Sequence, residues 1–103
     1  MYADPRLGET TAIGCDWSEK WTGADFTIES ATITITNNST GAAIVTDAAA
    51  SVDDTKTFYR TTFSAANGYA VDTVYRAVIT ANISIGGTTY VEKHEDWFTV
   101  RSG

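Results

Sequence analysis

Residues 72–103 read DTVYRAVITANISIGGTTYVEKHEDWFTVRSG, and this stretch predicts one long β-hairpin. Apolar and polar residues alternate up to Gly86-Gly87, which fits a two-residue turn because glycine readily adopts the positive φ values that such turns need. The return strand ends on Phe98 and Val100. One face of the first strand is expected to be buried, and its residues are Tyr75, Ala77, Ile79, Ala81 and Ile83.

A two-residue turn also sets the pairing between the two strands. It places Ile79 opposite His94, so that a polar side chain falls on the apolar face. The same register places Ala77 opposite Asp96. Either these polar groups lie beyond the cover of a second sheet, or a β-bulge between Glu92 and Trp97 moves them to the other face.

The composition favours strands throughout the chain. Eighteen Thr, eight Ile and seven Val stand against a single Leu among 103 residues. β-Branched side chains fit a pleated surface better than a helix because their χ1 angle is restricted. The length allows one core, so we expect a single domain over residues 10–103, preceded by an extended N-terminal arm over residues 1–9.

Further strands are expected upstream of the hairpin. The clearest is residues 31–37, where Ile33 and Ile35 alternate with threonines. Phe26 and Ile28 have the opposite parity, so burial of both pairs requires a bend or bulge near Glu29-Ser30. We also expect a loop over residues 18–25 that lays one Trp over the core. The remaining strands are expected near residues 10–17, 43–46, 52–54 and 56–65, with both faces of the last one carrying aromatic residues.

Short strands separated by turn signals are typical of an all-β antiparallel sandwich, here of six to eight strands. The run from Asp72 to Ala77 resembles the entry to strand F of immunoglobulin-like domains. In such domains a Tyr lies two residues before the second Cys, a place held here by Ala77. The resemblance implies that Tyr75 is structural and that its hydroxyl bonds to nearby backbone.

Charge and targeting signals narrow the possible partners. The formal charge of -6 argues against nucleic acid, which requires clustered Lys and Arg. No stretch has the apolar length of a membrane span, and the first residues lack the pattern of a signal peptide, so we expect no membrane association and a cytoplasmic site of synthesis. Cys15 has no second cysteine to pair with, and we expect it to be a small buried residue.

No catalytic, cofactor or metal site is expected. Glu92, His94 and Asp96 share one strand face, but no second His or nearby Cys would complete a metal shell. Exposed aromatics are the positive signal for a partner. Trp97 and Arg76, opposite each other on the outer face, could stack as a cation–π pair and form a protein interface. Tyr2 and Leu7, in the arm, are further interface candidates.

Several segments together resemble small immunoglobulin-like virion proteins of tailed bacteriophages, of the fibre–tail adaptor and head-to-tail neck types. The segments are Asp16-Trp17-Ser18, residues 31–35, the run from Tyr75 to Thr80, and residues 97–100. The resemblance implies a non-enzymatic structural subunit at the head–tail or tail–fibre junction, held by other phage structural proteins in a symmetric assembly. It implies localisation in the virion. The sequence departs from the family pattern at residues 69–72, where a Gly-x-x-Gly run is usual, and at the Gly-Gly loop.

Three alternatives remain open. A capsid decoration protein would belong to the same class and occur in far more copies. A host-surface or carbohydrate-binding module could use Trp17, Trp21 and Trp97 as stacking platforms. A small enzyme would depend on His94.

Overall fold

The computed structural model describes residues 4–19, 21 and 25–103. Two 3-10 turns, Trp17–Glu19 and Ala65–Asn67, are the helical elements of this part of the chain, and neither is long enough to cross a membrane. The strands in it are β1 Thr10–Asp16, β2 Thr27–Asn37, β3 Ala43–Ala49, β4 Ser51–Asp53, β5 Lys56–Thr62, β6 Val74–Ile85 and β7 Thr88–Thr99.

The strands form two antiparallel sheets packed as a sandwich. One sheet has the order β1-β5-β4 and the other the order β3-β2-β6-β7. The predicted all-β antiparallel sandwich of six to eight strands is confirmed. The two strand orders have the pattern of strands B-E-D and C′-C-F-G in immunoglobulin-like domains. Among the described residues, no strand occupies the position beside β1 where strand A pairs in that fold.

The β6–β7 hairpin has the predicted register along its whole length. Ile85 pairs with Thr88 across the Gly86-Gly87 turn, and the pairing continues without a shift to Val74 and Thr99. The alternative of a bulge between Glu92 and Trp97 is therefore wrong, and His94 and Asp96 lie on the inner face.

The bulge predicted near Glu29-Ser30 is present. The pairing of β2 with β6 shifts between Ile28 and Ser30, so that Ile28, Ile33 and Ile35 all point into the core despite their opposite parities. This insertion extends β2 back to Thr27, four residues before the predicted start. Burial of the apolar side chains on both sides of the bulge accounts for the longer strand.

Strand β3 is longer than expected, and β5 shows which of its two faces is buried. β3 continues to Ala49 rather than residue 46, because Thr34 Oγ1 accepts a hydrogen bond from Asp47 N–H at 3.1 Å and keeps the irregular end of β3 against β2. In β5 the odd-numbered residues point inward. Thr57 near its start is fully buried, and so is Phe63, the residue directly after the strand. The sequence had left that choice open.

The tyrosine expected at the start of strand F is in place. Tyr75 is 1% exposed, and its hydroxyl oxygen accepts a hydrogen bond from Ala70 N–H at 2.8 Å. This contact ties the segment before β6 to the core. Tyr69 packs edge-on against Tyr75, with ring centroids 5.2 Å apart, but its own buried hydroxyl has no hydrogen-bond partner among the described residues.

Residues 4–9 run beside the end of β7. Arg6 forms a parallel bridge with Arg101, and Pro5 O accepts a hydrogen bond from Arg101 N–H at 2.9 Å. The Asp4 carboxylate accepts from Thr99 N–H and pairs with the Arg101 guanidinium at 3.1 Å. In an immunoglobulin-like domain, this position is beside strand G, which β7 represents here.

The two buried tyrosines provide a matched test of the Tyr75 contact. Tyr75→Phe should lower the free energy of unfolding by about 1–2 kcal/mol, because Ala70 N–H loses its acceptor. Tyr69→Phe should leave the free energy unchanged or raise it, because it removes a buried hydroxyl that makes no bond to the described residues. Urea denaturation of both variants measures the difference. Equal losses from both would contradict the assigned role of Tyr75.

Candidate protein-interaction surface

The outer face of the four-stranded sheet is formed by side chains that alternate with the core residues. On β6 these are the even-numbered residues and on β7 the odd-numbered ones. Most are polar and bond to one another across strands. Lys93 Nζ donates to Thr80 Oγ1 at 3.1 Å, and Asn82 Nδ2 donates to Ser30 Oγ at 2.9 Å. The exposed apolar side chains of β6 and β7 on this face are Val74, Val91 and Trp97, of which Trp97 is the largest.

Trp97 is such a side chain, with 44% of its surface exposed. Its indole Nε1–H donates to Asn38 Oδ1 at 3.2 Å, and Asn38 lies in the turn that follows β2. Its backbone N–H donates to Asp96 Oδ1 at 2.9 Å. The indole is thus held by a hydrogen bond across the sheet, and less conformational entropy is lost when a partner binds it.

Arg76 lies directly opposite Trp97, as predicted. The expected stacking of its guanidinium on the indole is replaced by an ion pair, in which Arg76 Nε and Nη2 both approach Glu95 Oε2. Glu95 lies diagonally across the hairpin, within reach of a long side chain. In the described part of the chain, the guanidinium placed over a ring is that of Arg60, 5.9 Å from the centroid of Phe58.

The other two predicted interface residues are in the N-terminal arm. Leu7 is half-buried against the core, and its N–H donates to Arg101 O at 2.8 Å. It therefore contributes to packing the arm on the domain. Tyr2 lies outside the described residues.

A second group of polar side chains lies at the side of the sandwich, between β1 and β7. His94 Nε2 is 3.7 Å from Asp96 Oδ2, and its ring meets the edge of Trp17 with centroids 6.2 Å apart. Ile13 and Gly14 of β1 line the same shallow opening. These polar groups are half-buried under the edge of the three-stranded sheet, which explains how they are accommodated on the inner face.

Cys15 is buried beside this opening, as predicted. Burial raises the pKa of its thiol, and the carboxylates of Asp16, Asp96 and Glu19 raise it further, although a contact with the Thr57 hydroxyl at 3.6 Å lowers it. The thiolate is therefore disfavoured at neutral pH, and the thiol is a poor nucleophile.

The three tryptophans do not form a common platform. Trp17, which directly precedes the expected loop, is 2% exposed and donates its indole N–H to the buried Thr57 hydroxyl at 2.9 Å, so it is the indole that covers the core. Trp21 is half-buried and packs on Tyr90, with ring centroids 6.1 Å apart. The surrounding residues 20 and 22–24 lie outside the described part of the chain.

Metal-ligating side chains form no cluster in the part of the chain that the structure describes. Within residues 4–19, 21 and 25–103, no three His, Cys, Asp or Glu side chains lie close enough together to hold an ion. The polar group at His94 is a contact between the imidazole and the Asp96 carboxylate, next to the ring of Trp17.

Two residues of the surface around Trp97 were missed by sequence reasoning. Asn38 lies in the turn after β2, and nothing in its local sequence connects it with an indole 59 positions later. Glu95 could have been found, because the predicted register already placed it diagonally from Arg76. The candidate contact surface consists of Asn38, Arg76, Glu95 and Trp97.

The chain matches no protein-family model, and no curated protein or solved structure is significantly similar to it.

Proposed function

We propose that this protein is a non-enzymatic structural subunit of a tailed-bacteriophage particle, at the head–tail or tail–fibre junction, and that it acts through protein–protein contacts. The observation that carries the contact role is the exposed Trp97, fixed by Asn38 and lying opposite Arg76. Trp and Arg are enriched among the residues that contribute most to binding at protein interfaces.

The placement in a virion is supported by the resemblance of the strand sequences to small immunoglobulin-like phage proteins. The immunoglobulin-like strand order and the Tyr75 contact agree with that resemblance. Many unrelated proteins share this fold, so the fold alone does not assign the function.

The competing functions have less support from the side chains. A three-tryptophan sugar platform is disfavoured because Trp17 is 2% exposed and its indole N–H is already bonded to Thr57. A small enzyme that depended on His94 has less support, because the imidazole contacts Asp96 and the ring of Trp17, and no three metal-ligating side chains gather among the described residues.

The copy number of this protein in purified particles tests the proposed location. Quantitative mass spectrometry should find a small fixed number of copies relative to the major capsid protein, because a junction ring has a closed symmetry. A ratio close to that of the capsid protein would instead indicate a decoration protein. Complete absence from the particles would contradict any role in the virion.

Trp97 and Val52 provide a matched pair for testing the contact surface. Val52 is 40% exposed, similar to Trp97, but lies on β4 in the other sheet. In phage carrying Trp97→Ala, incorporation of this protein into particles should fall at least about tenfold, the range expected when a central interface aromatic is truncated. Val52→Ala should have little effect. Equal incorporation of both variants, with unchanged thermal stability, would exclude Trp97 from the contact.

A further inference from the structure

Among the described residues, no strand pairs with the outer edge of β7 over most of its length. β7 ends the four-stranded sheet, and Val100 N–H bonds back toward Thr73 O on the β6 side. In an antiparallel ladder, successive residues alternate in the direction of their backbone groups. The odd-numbered N–H and C=O groups of β7 therefore point away from the sheet. The arm covers this edge from Thr99 onward, and within the described residues no strand pairs with it between Thr88 and Trp97.

The side chains along this open edge have a self-complementary order. On the outer face, the strand presents Val91, Lys93, Glu95 and Trp97 in turn. These side chains are apolar, basic, acidic and apolar. When a second copy of the strand runs antiparallel to the first, each apolar side chain can lie opposite an apolar one and each charge opposite its opposite charge. Val91 is 64% exposed and Trp97 44% exposed, which leaves both with surface to bury.

We propose that β7 of one copy pairs antiparallel with β7 of a second copy, about a two-fold axis at His94, and so joins the two four-stranded sheets. Lys93 of each copy then lies opposite Glu95 of the other, and Val91 lies opposite Trp97. A two-fold interface requires such self-complementarity, because every contact between residues of the two copies occurs twice. This inference goes beyond the proposed function and does not depend on a role in a virion.

The charges select this register over its neighbours. A two-fold axis at Lys93 would place the two Lys93 side chains directly opposite each other, and an axis at Glu95 would do the same with two carboxylates. Like charges in directly opposite positions destabilise a strand pair. The axis at His94 brings together two Lys–Glu pairs and two Val–Trp pairs.

Both charged side chains bond to β6 in the single copy. Lys93 Nζ donates to Thr80 Oγ1 and Glu95 pairs with Arg76, so on pairing each side chain turns toward the second strand or shares its bonds with it. A carboxylate accepts several hydrogen bonds, and Glu95 can therefore engage a second cation. Charged residues on an edge strand ordinarily prevent pairing with other chains. Here the order of the charges permits pairing with another copy of the same strand.

The inner face limits the strength of this association. The same register places Glu92 opposite Asp96 of the second copy, and such like-charge pairs oppose association. Trp97 N–H must also exchange its bond with the Asp96 carboxylate for one with the new strand. The dimer is accordingly a weak one that forms with increasing protein concentration.

Charge exchange at Lys93 and Glu95 tests the pairing directly. Lys93→Glu alone and Glu95→Lys alone should each raise the dimer dissociation constant at least about tenfold, because both attractive pairs become repulsive. A mixture of the two variants should form a heterodimer with roughly wild-type affinity, because each then meets its opposite charge. Sedimentation velocity over a range of concentrations measures the dissociation constants of the two variants and of their mixture. Circular dichroism verifies that each variant is folded.

Site-specific cross-linking tests the register independently. In a Cys15→Ser background, His94→Cys places two cysteines opposite each other on the axis, so the dimer should form a disulfide under mild oxidation. Thr89→Cys, exposed on the same strand but facing position 99 of the second copy, is the matched control and should cross-link far more slowly. A wild-type chain that stays monomeric at all concentrations, or equal cross-linking of the two cysteine variants, would overturn the proposal. Because neither test uses phage particles, failure here would leave the particle-based tests of the proposed function unaffected.

Discussion

The unbroken pairing of β6 with β7 is the constraint on which the rest of the structure depends. Because side chains alternate along a strand, the pairing across Gly86-Gly87 decides the face of every residue in both strands. It buries Tyr75, Ile79 and Ile83 at once. A slip of one residue would expose those side chains and bury the charged ones. The glycines are suited to this turn, with φ of 57° at Gly86 and 84° at Gly87.

The same register gives β7 two different faces. Its inner side places His94 and Asp96 beside Trp17, where the two side chains are half-buried at the edge of the three-stranded sheet. Its outer side carries Trp97 on a sheet surface otherwise rich in hydroxyl groups. The proposed contact with partner proteins and the proposed pairing with a second copy both follow from this one strand. Trp97 belongs to both surfaces. A partner protein and a second copy would therefore either compete for Trp97 or both contact it within one assembly.

The sequence was most informative where local chemistry and periodicity agreed. The glycine pair, the alternation and the change of parity before Ala31 were enough for the hairpin register and for the bulge in β2. Prediction failed where side chains of similar character fall on both faces, as in β5, where Phe58 and Tyr59 gave no preference. It also failed for contacts between distant segments. The bond from Trp97 to Asn38 and the bridge between Arg6 and Arg101 depend on how strands and arm meet in space. Arg76 was placed correctly on the outer face, but its ion pair with Glu95 was not foreseen.

Residue-resolved amide hydrogen exchange along β7, followed by NMR at low protein concentration, tests the register and the open edge most directly. The structure predicts an alternating pattern, because even-numbered amides bond to β6 and odd-numbered amides point outward. Tyr90, Glu92 and His94 should exchange slowly, whereas Val91, Lys93 and Glu95 should exchange rapidly. The reverse alternation, or equal protection of all six amides, would contradict the account.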